Sequence, residues 1–166
     1  KINLSSFGED SLYWDFGTSP ILTSKHLFIA LMRKGNSWLL AFEPKTGKVA
    51  WKKERNYDTP PECDHSYATP TLVKHEDKEA ILVWGAERLS LHSALNGEML
   101  WVSTGFNPKK KKNWVVVGSH VVSGEVAVVS YGRGTHLAGI KMGGSGDITK
   151  THRLWTRKNT GCFVPT

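Results

Sequence analysis

Two stretches decide how this chain folds: Ala41-Phe42-Glu43-Pro44-Lys45-Thr46-Gly47-Lys48-Val49-Ala50-Trp51 and Leu91-His92-Ser93-Ala94-Leu95-Asn96-Gly97-Glu98-Met99-Leu100-Trp101. Each ends a short apolar run, turns through a glycine and closes on a tryptophan. Thr46-Gly47 and Asn96-Gly97 supply the positive φ that a tight hairpin requires, so both stretches read as strand, turn, strand. Trp51 and Trp101 lie 50 residues apart. A second pair of anchors has the same period: Pro20 in Thr18-Ser19-Pro20-Ile21-Leu22 and Pro70 in Ala68-Thr69-Pro70-Thr71-Leu72. A looser third copy runs through His136-Leu137-Ala138-Gly139-Ile140 to Leu154-Trp155, where the spacing grows to 54 residues. The excess falls in the glycine-rich insertion Gly143-Gly144-Ser145-Gly146-Asp147.

Outward from these anchors the pattern is uniform. Leu27-Phe28-Ile29-Ala30-Leu31, Ala80-Ile81-Leu82-Val83-Trp84 and Val126-Ala127-Val128-Val129 are apolar runs of strand length, bounded by turn-forming or charged residues. Sixteen glycines and seven tryptophans in 166 residues fit many short strands with aromatic anchors. Four strand signals fall in each unit: about 18–22, 26–32, 37–42 and 48–54; 67–73, 79–85, 88–93 and 98–103; 114–121, 125–131, 135–141 and 152–157. Four-stranded units at a period of roughly 40–50 residues are the mark of a β-propeller. The fold class is therefore all-β: four-stranded antiparallel blades at 18–55, 67–104 and 114–158, with a further blade starting at 162–166. A β-sandwich with an internal duplication is the other architecture that such units allow. Lys1-Ile2-Asn3-Leu4 reads as the tail of an earlier outer strand, and Phe163-Val164-Pro165-Thr166 as the first strand of the next copy. On that expectation the chain is a partial propeller that either self-associates or belongs to a longer protein. Trp51, Trp101 and Trp155 should pack between neighbouring blades, with Gly47 and Gly97 making the turns before the first two.

The phrase Ala41 to Trp51 resembles the quinoprotein-type, pyrroloquinoline-quinone-like repeat, Ala-x-Asp-x-x-Thr-Gly-x-x-x-Trp. Glu43 stands where that repeat has aspartate, and Asn96 replaces its threonine in the second copy. Ser6-Phe7-Gly8-Glu9-Asp10, Tyr131-Gly132-Arg133-Gly134 and the 143–149 segment are similar to bacterial secreted propellers of this type, many of unassigned activity. The resemblance implies a propeller, and a periplasmic or secreted location as in the outer-membrane-protein assembly lipoprotein that shares the repeat. Enzymes of the family have an adjacent cysteine pair, a stacking tryptophan and carboxylate or amide ligands for calcium. Cys63 and Cys162 are far apart in this sequence and form no such pair.

These features point to a binding or scaffold domain with no catalytic residues, no metal ligands and no cofactor. A fragment of a quinone-dependent dehydrogenase, with the quinone and calcium, is the alternative. Asp147 after Gly144-Ser145-Gly146 reads as a turn residue and not as a cation ligand. The net charge of +7 is partly local, since Lys109 to Lys112 sit together in the connection between the second and third units. That run reads as a solvated loop, so nucleic acid is not expected as a partner, and no apolar stretch has the length of a membrane span. A ligand or partner protein should meet the loops that enter the innermost strands, at a channel mouth formed by Asp15, Asp64, His65, Tyr67, Trp114 and Arg133.

Overall fold

The computed structural model describes residues 2–9, 14 and 16–164. A 3-10 turn at Leu4–Phe7 precedes thirteen strands. The first four are β1 (Ile21–Leu22), β2 (Leu27–Leu31), β3 (Trp38–Phe42) and β4 (Val49–Glu54). β5 (Thr71–His75), β6 (Lys78–Gly85), β7 (Arg88–Ser93) and β8 (Met99–Ser103) follow. The last five are β9 (Val121–Ser123), β10 (Val126–Tyr131), β11 (His136–Lys141), β12 (Gly146–Asp147) and β13 (Arg153–Lys158). They form three antiparallel sheets in the orders β1-β2-β3-β4, β5-β6-β7-β8 and β9-β10-β11-β13. β12 leaves the third group and adds in parallel to the outer edge of β8.

The repeated hairpin is the same object three times. Trp51 pairs with Ala41, Trp101 with Leu91 and Trp155 with Gly139, and in each ladder the register slips immediately afterwards. The slip leaves Ala50, Leu100 and Leu154 without an opposing residue, a bulge that sharpens the local twist. In the first two copies the turn closes through Gly47 N–H to Glu43 O at 2.8 Å and Gly97 N–H to Ser93 O at 2.9 Å, with both glycines at φ 72°. In the third, Lys141 N–H still reaches His152 O at 2.9 Å, so the glycine-rich insertion loops out of an intact hairpin.

Sheet two is the centre of the core. Alternate residues of β6 point to opposite faces. Ile81 and Val83 pack on Phe28, Ala30, Met32 and Leu39 of sheet one, while Ala80, Leu82 and Trp84 pack on Ala127, Val129 and Tyr131 of sheet three. The other face of sheet one, with Leu31, Leu40 and Phe42, is covered by Ile2, Leu4, Phe7 and Phe16. The opening residues are thus a 3-10 turn lying on a sheet face, not the strand tail expected of them. Phe7 meets the Phe42 ring edge-on at 6.0 Å.

The three tryptophans differ. Trp101 is fully buried. Trp51 is half-buried, donates Nε1–H to Ala94 O at 3.3 Å and lies flat on the 94–97 turn of the next sheet. Trp155, expected to be buried like the others, is 38% exposed: among the described residues no further sheet covers it, and its ring lies over Gly139 of its own sheet. A Cβ at Gly97 would come within 2.5 Å of the Trp51 ring at a φ of 72°. Gly97→Ala is therefore expected to cost about 2 kcal/mol in urea unfolding, through ring displacement and backbone strain together.

A buried cation ties sheet one to sheet two. Arg55 donates to Gly85 O at 3.0 Å, Arg88 O at 3.1 Å and Ser90 Oγ at 3.0 Å. Burial, aided by the neighbouring Arg88 charge, lowers its pKa to about 10. Closer to the repeat starts, Ser19 N–H donates to Thr69 Oγ1 at 3.1 Å and Thr69 N–H to Ser119 Oγ at 2.9 Å. These bonds make Pro20, Pro70 and His120 equivalent positions. The third unit's first strand accordingly starts at Val121 and not at 114, where the sequence suggested it.

Candidate functional site

The segments that lead into β5 and β9 run side by side before those strands begin. They are stitched together near Ser66, which bridges Met32 on one side and Val116 on the other. Tyr67 N–H donates to Val116 O at 2.9 Å and Val116 N–H to His65 O at 3.3 Å, so 65–67 and 115–117 lie as parallel extended segments. Gly85 has to be glycine here, since a Cβ would sit 2.6 Å from the Ser66 side chain at a φ of 156°.

Beside this ladder lies a concavity of about 440 Å³, lined by Trp14, Gly17, Glu62, His65, Tyr67, Val115, Val117, Arg133, Phe163 and Val164. Its wall comes from these two segments, from Trp14 and Gly17 ahead of β1, from Arg133 between β10 and β11, and from Phe163 and Val164 after β13. Of the residues anticipated at a channel mouth, His65, Tyr67 and Arg133 line it. Asp64 stands behind His65, with 3.9 Å between Oδ1 and Nε2. Trp114 lies apart from the wall, against Tyr131 at 6.3 Å and His136 at 5.7 Å, with Lys111 Nζ 5.3 Å from its ring centre. Asp15 lies outside the described residues.

Arg133 holds the most constrained position. Gly132, Arg133 and Gly134 are all left-handed, at φ 61°, 55° and 78°, a conformation that costs a bulky residue of order 1 kcal/mol or more. Thr135 Oγ1–H donates to Gly132 O at 2.7 Å and fixes the turn. The segment ending at Phe163 lies directly on it: a Cβ at Gly134 would fall 2.2 Å from the Phe163 nitrogen. The Arg133 guanidinium consequently sits 4.5 Å from the Phe163 ring centre.

Other reactive-looking groups are explained by structure. The Cys63 thiol is buried and donates to Lys111 O at 3.2 Å, and burial pushes its pKa up to about 12, which removes it as a nucleophile. The same carbonyl accepts Asn107 Nδ2–H at 2.7 Å, and Lys111 N–H returns a bond to Asn107 Oδ1 at 2.9 Å. The lysine run is thus a pinned turn with exposed side chains. Asp147 accepts Thr149 N–H at 2.8 Å, and bonds from Thr149 hold its carboxyl below the usual range. Glu43 accepts the Thr46 hydroxyl at 2.7 Å, which makes it a turn residue. Among the described residues no three His, Cys, Asp or Glu side chains gather as metal ligands. No helix in them is long and apolar enough to cross a membrane.

Sequence reasoning missed Glu62, Val115 and Val117 as parts of the wall. No residue type marks them; Val115 and Val117 follow from the pairing of 65–67 with 115–117. Comparison with known proteins leaves the family open: no family model matches the chain, and no curated protein matches it in sequence. Among solved structures it is similar to a quinohemoprotein alcohol dehydrogenase of Pseudomonas putida, with a TM-score of 0.59 at 12% identity. The match covers 86% of this chain and 26% of that one, so the chain spans about a quarter of the enzyme's length, and the likeness is one of all-β, quinoprotein-like fold.

Proposed function

We propose that the three sheets are successive blades of a quinoprotein-type β-propeller, divided at 18–55, 67–104 and 114–158. In this reading the chain is a non-catalytic, extracytoplasmic binding or scaffold domain. A second copy, or further blades of a longer protein, completes the ring over the exposed Trp155 face; light scattering reads such association directly. The observation that carries the reading is the convergence of five separate chain segments on one concavity, lined by aromatic, branched and charged side chains. Concave, largely apolar surfaces with a few placed polar groups are where ligands and peptide segments dock. Panning a displayed peptide library on the chain tests it. Retained sequences are expected to lose binding to Tyr67→Ala and to keep binding to Lys53→Ala, on an outer strand. Equal loss or equal retention by both variants would overturn the reading.

The likeness to a quinohemoprotein dehydrogenase favours one alternative, a fragment of a quinone-dependent enzyme. The residues present do not fit the calcium such a cofactor needs. Calcium takes six to eight oxygen ligands, whereas among the described residues the concavity offers one carboxylate, Glu62, with a histidine and an arginine beside it. Titrating the chain with the quinone and calcium should give no bound chromophore and no dye reduction; either signal would restore the alternative.

A further inference from the structure

Among the described residues Arg133 is a cation with no carboxylate partner. Its one hydrogen bond among them, to Asn113 O, is long at 3.5 Å. Glu62 lines the same concavity and does not pair with it. The guanidinium is nevertheless held in place. Three consecutive left-handed residues aim it, and the Phe163 ring carries it at 4.5 Å. With its carbon over the ring, the guanidinium has N–H donors left to offer a ligand, and its planar fork matches a carboxylate bidentately. Apart from Glu62 and His65 the rest of the wall is apolar and aromatic, with Tyr67, Val115, Val117 and Val164 among its residues. The chain's net charge of +7 adds a long-range attraction for anions.

Building on the binding role argued above, we infer that the concavity is selective for a carboxylate carried beside an aromatic or branched apolar group. That chemistry belongs both to a peptide C-terminus ending in such a residue and to a free aryl acid. Arg133 takes the carboxylate, while Tyr67 and the valines take the apolar group. An uncharged analogue of the same shape loses the paired hydrogen bonds and keeps only the apolar contact, so discrimination between acid and amide is the signature of the site.

The test is a two-dimensional NMR titration of the whole chain, following the amides of His65, Tyr67 and Val117. N-acetyl-phenylalanine is expected to bind at least tenfold more tightly than N-acetyl-phenylalaninamide. Arg133→Gln, checked for an unchanged spectrum elsewhere, should abolish that preference while leaving the weak amide binding in place. N-acetyl-Gly-Gly-Phe and phenylacetate separate the two sources: preference for the tripeptide assigns the site to peptide ends, preference for phenylacetate to free acids. Equal binding of acid and amide by the native chain would overturn carboxylate selectivity and leave the binding reading intact. Absence of any shift at these amides with all four probes would remove both.

Discussion

Trp101→Ala is expected to lower the stability of this chain by about 3–5 kcal/mol, the range for deleting a fully buried aromatic side chain. The ring is completely buried, in the cluster that joins Leu82 and Trp84 of sheet two to Ala127 and Val129 of sheet three. Its removal opens a void between two sheets that cannot approach without breaking their own ladders. Trp101→Phe should recover a large part of the loss, because among the described residues the indole Nε1–H has no hydrogen-bond partner for its deletion to strand. Trp155→Ala, at the equivalent but exposed position, should cost no more than about 1 kcal/mol in the isolated chain. Urea unfolding followed by tryptophan emission ranks the three. Equal effects at Trp101 and Trp155 would mean that the sheets do not share a core.

Acid is expected to unfold the protein steeply between pH 6.5 and pH 4. Burial lowers the His92 and His120 pKa values from the ordinary 6.5 to about 4, in His92 with help from the Arg55 charge. In the unfolded chain both rings take up protons near pH 6.5, whereas in the native state they stay neutral until about pH 4. Their contribution is thus fully present above pH 6.5 and is lost as pH falls towards 4, about 3 kcal/mol for each ring.

The two histidines resist protonation for different reasons. His92 is part of a relay: its Nδ1–H donates to Gly97 O at 3.2 Å, its Nε2 accepts the Ser90 hydroxyl at 3.0 Å, and Ser90 Oγ accepts from Arg55. A proton on Nε2 would face an oxygen already engaged by a cation. His120 has neither ring nitrogen satisfied among the described residues. His120→Pro, which restores the residue found at Pro20 and Pro70, should therefore flatten the pH profile by about 3 kcal/mol across this window. Stability measured by urea at pH 7 and pH 5 checks it; parallel profiles for the native chain and the variant would reject the role of His120.

The sheet architecture was legible because a strand pattern, a glycine turn and a tryptophan recur together, and each has a local cause. The third unit's first strand was misplaced because His120 breaks the proline signal. Its true position shows only in the hydrogen bonds from Ser19 to Thr69 and from Thr69 to Ser119. The burial of Trp101 and the exposure of Trp155 could not be separated from sequence, since identical local motifs differ here in what lies across from them. His65 and Tyr67 fall in the segment that leads into β5, which the sequence marks by its place ahead of a strand, whereas Arg133 comes from the turn between β10 and β11. The strain at Arg133 and its stacking on Phe163 depend on residues 30 apart in sequence and carry no local mark.

The short parallel strand β12 has a consequence for how the chain comes together in time. Gly146 and Asp147 pair with Trp101 and Val102, Ile148 N–H reaches Val102 O at 2.9 Å, and buried Ile148 joins the shared core. Thr104 N–H is satisfied by Thr149 Oγ1 at 2.8 Å. Sheet two therefore cannot finish its outer edge until a segment more than forty residues downstream has been made. During synthesis the second unit would wait, edge open, for the third. Once closed, the two lose their independence. Repeat arrays usually fray one unit at a time from an end, but here the clasp couples two neighbours, so they should exchange amide protons and melt as a single step.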